Sequence, residues 1–322
     1  MLSHHFFSGR FAHCISAVPM AAFLQLPAFF TSCTQEAPPP FDSVTLVWTT
    51  KSSVPEALDL FFFDTLGVQL LDSYQQVTDL EHTVYGLSGT GARRLAVLSG
   101  KAGEMEAWSQ IRTYGQLCKH RFSLEEDSTE KPLLYAETLL DEGASRTLTL
   151  ELRSFLAAVR LRSVSCDFSA RTYANDTFHL RQLFLSYAGA ECLPLGEGGR
   201  KPVSWINMGY LDSAAVRRLP QPEILWQVAD TVIGRNPVYL DRTFYCYPGE
   251  QTRLVLEGDV NGILCYYPIP LPDLASDSCV QLDVSLKRMG APDADTPTAS
   301  GAIVLETRIL PWEERDPQNV SY

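Results

Sequence analysis

Most of the chain has the hydrophobic pattern of β-strands, and helical patterning is scarce. In "RTLTLELR" (146–153), Leu148, Leu150 and Leu152 alternate with polar residues, which is the period of a strand with one buried face. In "TRLVLEGDVNGILCYYPI", Asn261-Gly262 separates two apolar runs, the strongest short-range signal of a hairpin. Short strands separated by turns favour antiparallel sandwiches over βαβ units. The pattern therefore predicts an all-β protein.

Several further segments have the same strand character. They are SVTLVW (43–48), a strand pair within ALDLFFFDTLGVQLLDSY (57–74), RRLAVLSG (93–100), AAVRLRSVSC (157–166), FHLRQLFLSYAG (178–189), KPVSWINMGYL (201–211), SCVQLDVSLKRMG (278–290) and GAIVLETRILPW (301–312). The pattern allows one helix over Glu104–Leu117 and a turn or short helix within 214–235. A boundary near residue 143 would give two β-sandwich domains in tandem, 43–143 and 144–322.

The first 32 residues differ from the rest of the chain. Arg10 is their only lysine or arginine, and no acidic residue precedes Glu36. Residues 11–30 are rich in apolar side chains, but Pro19 and Pro27 interrupt them, which disfavours a membrane-spanning helix. This composition predicts an export signal over residues 1–32. The signal begins at residue 1 or at Met20, since the segment that precedes its apolar stretch is long for an export signal.

Cys33 stands where the apolar stretch ends and a Pro-rich tether, residues 33–42, begins. Cleavage before Cys33 would make it the new N-terminus, the arrangement that bacterial lipoproteins need for a diacylglyceryl group on the thiol. Thr31 and Ser32 suit such a site, whereas Phe30 replaces the usual Leu. Cys33 is therefore the predicted lipidation site. Plain secretion with a cut nearby is the alternative.

Composition and motifs exclude several function classes. The chain has 322 residues and a formal net charge of −12, so nucleic acid is not an expected partner. No nucleophile elbow, phosphate loop or metal-ligand spacing occurs. His120 follows a lysine and is predicted at the surface, and Asp293 and Asp295 are predicted in a solvated loop. We therefore expect no enzyme, no catalytic residue, no metal and no cofactor.

Six cysteines follow Cys33, and none of them forms a C-x-x-C pair. In an exported chain, Cys246 in "FYCYPG" and Cys265 in "ILCYYP" could form a disulfide. Free thiols buried in a β core are an equal alternative. The aromatic runs around them, like "FFFD" (61–64), are typical of a strand-rich core.

Four of these segments, taken in order, resemble the Bacteroidetes fimbrillins, the type V pilins. The resembling segments are LDLFFFDTLGVQLLDSY, RTLTLELRSFLAAVRLRSV, FYCYPGEQTRLVLEGDVNGILCYYPIPLPDL and VQLDVSLKRMGAPDADTP with the later ILPW. The resemblance covers most of residues 43–315, and 146–164 resembles the strand that opens the family's second domain. Gly249 stands where the family usually has Asn after its Tyr-Cys-Tyr-Pro run.

The resemblance implies two transthyretin-like β-sandwich domains and a lipoprotein precursor with its lipid on Cys33. It implies a subunit of cell-surface fimbriae at the outer membrane, assembled with other fimbrial subunits by strand exchange. In polymerising members an Arg-specific protease removes the first strand, and a strand from a neighbouring subunit fills the open groove. Such exchange is β-strand complementation of an unpaired sheet edge.

This sequence departs from the family at the processing site. No arginine occurs between Cys33 and Arg93, and the loop after the first strand offers only Lys51. Either a protease that accepts lysine cuts at Lys51, or the first strand stays. A subunit that keeps its first strand suits an anchor, or a tip or accessory position, better than a stalk.

A second function class is a surface lipoprotein that binds a glycan or a protein of a host or bacterial surface without polymerising. Solvent-exposed aromatic residues on one loop face would favour it. A secreted hydrolase on a β scaffold is a third class, but the sequence has no triad or carboxylate signature for it.

Overall fold

The structure is a computed structural model, and all its described residues belong to one compact unit, Phe41–Tyr322. The described residues are 42–50, 55–78, 83–87, 91–100, 108–127, 129, 131–140, 146–171, 176–193, 195, 202–219 and 224–311. The predicted signal and Cys33 lie outside these ranges. No helix in the described part of the chain is long and apolar enough to cross a membrane.

The first half of the described chain contains eight strands and one short helix. They are β1 (Asp42–Thr50), β2 (Ala57–Asp64), β3 (Leu71–Val77), β4 (Thr83–Leu87), β5 (Arg93–Gly100), α1 (Tyr114–Leu117), β6 (Phe122–Ser123), β7 (Leu134–Leu140) and β8 (Arg146–Ser154).

The second half contains ten strands and one short helix. They are β9 (Ala157–Cys166), β10 (Phe178–Ser186), β11 (Ala188–Cys192), β12 (Pro202–Ile206), α2 (Ser213–Val216), β13 (Leu225–Ile233), β14 (Val238–Cys246), β15 (Arg253–Val260), β16 (Ile263–Pro270), β17 (Ser278–Leu286) and β18 (Ile303–Pro311). The prediction of an all-β sandwich protein is confirmed.

The first sheet system has the strand order β3-β2-β5-β7-β8-β1-β4. The contact between β7 and β8 is confined to two residue pairs, Leu134↔Ser154 and Tyr135↔Arg153. The sheet therefore bends at this corner into two parts, β3-β2-β5-β7 and β8-β1-β4. Apolar side chains from β1, β2, β3, β5, β7 and β8 form one core cluster, which lies between the two parts.

The second sheet system consists of two four-stranded sheets, β14-β9-β17-β18 and β13-β10-β15-β16. Their apolar side chains meet in a second, larger core cluster. A three-stranded sheet, β12-β11-β6, joins residues of both halves, because β6 pairs with β11 at Phe122↔Cys192 and Ser123↔Glu191.

Strand β2 explains the apolar run "LFFF" because it is buried on both faces. Leu58, Leu60 and Phe62 belong to the first core cluster, whereas Phe61 and Phe63 belong to the larger one. A strand buried on both sides has a continuous apolar run and not an alternating one. The two sheet systems therefore share contacts across β2 within one compact unit.

Local sequence signals of strands and turns are confirmed. The hairpin β15–β16 pairs Val260 with Ile263, and both Asn261 (φ 54°) and Gly262 (φ 76°) have the positive φ that a two-residue turn of this type needs. Strand β8 alternates as expected: Leu150 and Leu152 are buried and Leu148 is half-buried, whereas the polar residues at 147, 149, 151 and 153 are exposed.

The partners of β8 differ from the expected ones. The segment was expected to open the second half, but β8 pairs with β1 and β7 of the first sheet system. The change between the sheet systems thus falls after Ser154 and not near residue 143. Two pairs are also parallel, β1 with β8 and β9 with β17, in sheets that were expected to be wholly antiparallel.

The helix predictions are only partly correct. Of the expected helix over 104–117, residues 104–107 lie outside the described ranges, and the rest contains α1, of four residues. Helix α2 lies at the start of the segment 214–235, but nine residues of that segment form β13, which the sequence pattern did not predict.

His120 is not the surface residue that its polar sequence neighbours suggested. Its ring lies between those of Trp108, at a centroid distance of 4.8 Å, and Phe122, at 5.0 Å. Burial lowers the pKa of His120 from its ordinary value of 6.5. The neutral ring is therefore the form that the folded state prefers.

This burial predicts a pH dependence of stability. The folded-state pKa of His120 is below the unfolded value, so the unfolded chain takes up the proton more readily. We expect the free energy of unfolding to fall as the pH drops below about 6.5. Chemical denaturation between neutral pH and mildly acidic pH would measure this. The fall should be smaller in His120→Gln and unchanged in the control His179→Gln, which alters an exposed histidine. An equal fall in His120→Gln would contradict the assignment.

Candidate functional site

The first strand occupies the middle of its sheet, with a partner on each side. It pairs in parallel with β8 from Val44↔Arg146 to Thr50↔Leu152. On its other edge it pairs antiparallel with β4 from Asp42↔Leu87 to Leu46↔Thr83. Neither partner is its neighbour in sequence, so β1 is held entirely by long-range contacts.

One face of β1 completes the first core cluster. Leu46 is 1% exposed, and the half-buried Trp48 packs against the same cluster. Val47 is 37% exposed, and Thr49 is also exposed. This alternation gives β1 an inner apolar face and an outer face towards solvent.

The surroundings of Leu46 form a groove that needs an apolar side chain. The cluster that receives it contains Leu58, Leu60, Phe62, Val77, Leu95, Val97, Leu134, Ala136, Leu140, Leu150 and Leu152. Without β1 this set of side chains would open to water, and the facing edges of β4 and β8 would lose their hydrogen-bond partners.

Leu46→Ala is therefore expected to destabilise the protein by roughly 2–5 kcal/mol, because it removes a fully buried side chain from a closed core. The neighbouring Val47→Ala, on the outer face, should change stability by only about 0.5 kcal/mol. Urea denaturation of the two variants measures the difference. Equal effects would show that β1 does not complete the core.

The two processing residues predicted from sequence lie outside the described residues. They are Cys33, the expected lipidation site, and Lys51, the expected cleavage site. Lys51 directly follows Thr50, the last residue of β1, so a cut there would separate the whole strand from the rest of the chain. Both assignments stay predictions.

Arg93 and Arg94, the first arginines after Cys33, are held in the fold. They are the first residues of β5, whose backbone pairs with β2 on one side and β7 on the other. Arg93 Nε donates to Asp72 Oδ2 at 2.7 Å. The Arg94 guanidinium lies 4.6 Å from the centre of the Tyr114 ring. A protease would have to unfold a central strand to cut here.

Cys246 and Cys265 lie in different sheets, on β14 and β16. The structure contains both as free thiols and not as the disulfide considered from the sequence. Burial raises the pKa of Cys246 to about 12 and also raises the pKa of Cys265. The thiolate is the reactive form of cysteine. The raised pKa values therefore keep both side chains in the less reactive thiol form at neutral pH.

The two loop aspartates considered as cation ligands have protein partners. Asp293 Oδ1 accepts from the backbone N–H of Asp295 at 3.0 Å and of Thr296 at 2.7 Å. Asp295 Oδ1 accepts from the Tyr187 hydroxyl at 2.9 Å and from Arg253 at 3.1 Å. Within the described ranges, no three His, Cys, Asp or Glu side chains form a group that could hold a metal.

Comparison with known proteins identifies the fold. No family model matches the sequence, and no curated protein matches it. Solved structures match over most of the chain. A candidate cell adhesion protein from Bacteroides eggerthii aligns with a TM-score of 0.64 and 15% identity, over 86% of this chain and 97% of that one.

Two fimbrial proteins of Porphyromonas gingivalis have the same fold. The fimbrilin FimA aligns with a TM-score of 0.59 and 11% identity, over 85% of this chain and 98% of that one. The tip fimbrial protein Mfa3 aligns with a TM-score of 0.50 and 9% identity, over 85% of this chain and 100% of that one. The resemblance to Bacteroidetes fimbrillins is thus confirmed for the fold.

Proposed function

We propose that this chain is a structural subunit of cell-surface fimbriae, and that it keeps its first strand in an anchor, tip or accessory position. The observation that carries the proposal is the place of β1 in a fold shared with FimA and Mfa3. β1 is paired on both edges and completes a core cluster. A strand in this position can be replaced by an equivalent strand from another chain.

The contacts of β1 support assembly by strand complementation. An incoming strand would restore the hydrogen bonds to β4 and β8 and would place an apolar side chain at the position of Leu46. Backbone pairing supplies affinity, and the alternate side chains that enter the groove supply specificity. Burial of those side chains contributes about 25 cal/mol per Å² of apolar surface.

The positions of the lysine and arginine residues support retention of the strand. Between Cys33 and Arg93 the only lysine or arginine is Lys51, and the backbone of Arg93 and Arg94 is part of β5. An arginine-specific protease therefore has no accessible site that would release β1. A subunit that keeps β1 fills its own groove and cannot accept a donor strand there. It ends a fibre or attaches to it by another surface.

A lipid on Cys33 would hold such a subunit at the outer membrane. Asp42, the first residue of β1, is the ninth residue after Cys33. A fully extended chain of that length reaches about 30 Å at most. The sandwich would therefore stay close to the membrane surface, as an anchor requires.

The proposed role is structural, as the shared fold with FimA and Mfa3 suggests. The described residues contain no metal group, the two candidate carboxylates bond to protein groups, and the buried cysteines have raised pKa values. The net charge of −12 disfavours nucleic acid as a partner. The expected partners are other fimbrial subunits.

Lys51→Arg tests the proposal because it restores the missing arginine. An arginine-specific protease should cut this variant after residue 51, and loss of the released strand should convert the monomer into oligomers. The native chain and the control Lys51→Gln should stay uncut there and monomeric. Mass spectrometry reports the cut, and analytical ultracentrifugation reports the assembly.

Two outcomes would contradict the proposal. In the first, Lys51→Arg is cut and loses β1 but remains a stable monomer, so that the groove is not an acceptor. In the second, the native chain polymerises with its first strand still attached and in place, so that assembly does not depend on the groove.

A further inference from the structure

A pocket of about 430 Å³ lies beside the three-stranded sheet β12-β11-β6, away from β1. Its walls come from β6, β11, β12, the loop 207–212 and α2. Three large apolar side chains at its wall are exposed: Trp205 at 40%, Met208 at 52% and Tyr210 at 67%. A cluster of exposed apolar residues around a concave site is typical of binding surfaces.

The loop that carries Met208 and Tyr210 is fixed by buried hydrogen bonds. Asn207 is 2% exposed and has a positive φ of 56°. Its Nδ2 donates to the Leu185 carbonyl at 2.9 Å, and its Oδ1 accepts from the Asp212 backbone N–H at 2.8 Å. The exposed side chains are thus presented on a preorganised backbone, which lowers the entropy cost of binding.

Asp212 connects the end of this loop to the first turn of α2. Its Oδ1 accepts from the backbone N–H groups of Ala214 at 3.1 Å and Ala215 at 3.0 Å, which caps the start of the helix. The loop is therefore anchored at both ends, and Tyr210 lies between the two anchored positions.

The polar groups of the pocket favour a neutral ligand with many hydroxyls. Three carboxylates, of Glu125, Glu191 and Asp212, line it with one guanidinium, of Arg218. Arg218 Nε already donates to Glu125 Oε1 at 2.9 Å. Glu191 Oε2 lies 3.5 Å from Arg121 Nη1. Two of the three carboxylates thus have a cationic partner, and Asp212 leaves the site with one net negative charge, which would repel an anion. Carboxylate oxygens accept hydrogen bonds from hydroxyl groups.

An added β-strand is a poorer occupant of this site. The edge strand β12 has five residues and begins at Pro202, which cannot donate a backbone hydrogen bond. Its pairing with β11 shifts register twice, between Gly189 and Glu191 and again between Glu191 and Cys192. Short, bulged edges with proline are how proteins prevent strand addition.

We propose that this pocket binds a neutral sugar unit of a surface glycan. A pyranose ring has an apolar face of C–H groups, which would lie against Tyr210 and Trp205, and hydroxyls at its rim, which would bond to the carboxylates. The pocket volume lies in the range of small-molecule sites. This inference goes beyond the assembly role, and the monomer suffices to test it.

The test uses methyl α-mannoside, methyl β-galactoside and N-acetylglucosamine as neutral probes, with N-acetylneuraminic acid as the anionic one. Saturation-transfer NMR on the full-length monomer at millimolar sugar measures binding. We expect at least one neutral probe to bind and the anionic probe not to bind. Tyr210→Ala should weaken binding about tenfold, since one aromatic contact contributes about 1–1.5 kcal/mol.

Tyr239→Ala is the matched control because Tyr239, on β14, is also 67% exposed but does not line the pocket. Tyr239→Ala should bind the sugar as well as the native chain does. Both variants should have the same urea denaturation midpoint as the native chain. Three results would overturn the proposal: no neutral probe binds, Tyr210→Ala binds as well as Tyr239→Ala, or only the anionic probe binds. None of them bears on strand exchange, which the Lys51 variants test separately.

Discussion

The structure depends on one constraint: a strand in the middle of a sheet cannot be absent without leaving two unpaired edges and an open core. β1 meets this constraint for the first sheet system, since it joins β8 to β4 and buries Leu46 in the core cluster. The partners of β1 are remote in sequence, so no short loop holds β1 beside them. Its place in the sheet depends on its backbone pairing and on its pattern of apolar side chains. A strand from another chain that supplies both could occupy the position, and this is the physical basis of the strand exchange proposed above.

The same constraint gives the processing site its importance. A fimbrial fold with a removable first strand has an empty groove after processing, whereas one that keeps the strand is closed. The sequence contains only Lys51 between β1 and β2 as a basic residue, and Arg93 is paired with Asp72 at the start of a central strand. In the proposed role, the groove of this chain would stay occupied by its own strand, and its other surfaces, including the pocket beside Tyr210, would be the ones open to partners.

Local features of the fold could be predicted from the sequence, whereas long-range ones could not. The Asn261-Gly262 turn and the alternation of β8 depend on neighbouring residues. The identity of the strand beside β8 does not depend on neighbouring residues. The alternation of apolar and polar residues shows which face of a strand is buried, but it does not show which strand pairs with it. The position of His120 between two aromatic rings and the pocket beside Tyr210 combine residues far apart in the chain. The prediction of Lys51 as a candidate cleavage site required only the sequence, because protease specificity depends on residue type.

The N-terminus of the mature protein is the most direct measurement of the central claim, that the first strand is kept. Mass spectrometry of outer-membrane and sheared-fimbria fractions would determine it. The account predicts a diacylated Cys33 at the N-terminus in the membrane fraction, with β1 still part of the chain. A mature chain that begins at Ser52 in sheared fibres would contradict it, since the strand would then have been removed and the groove opened to a neighbouring subunit.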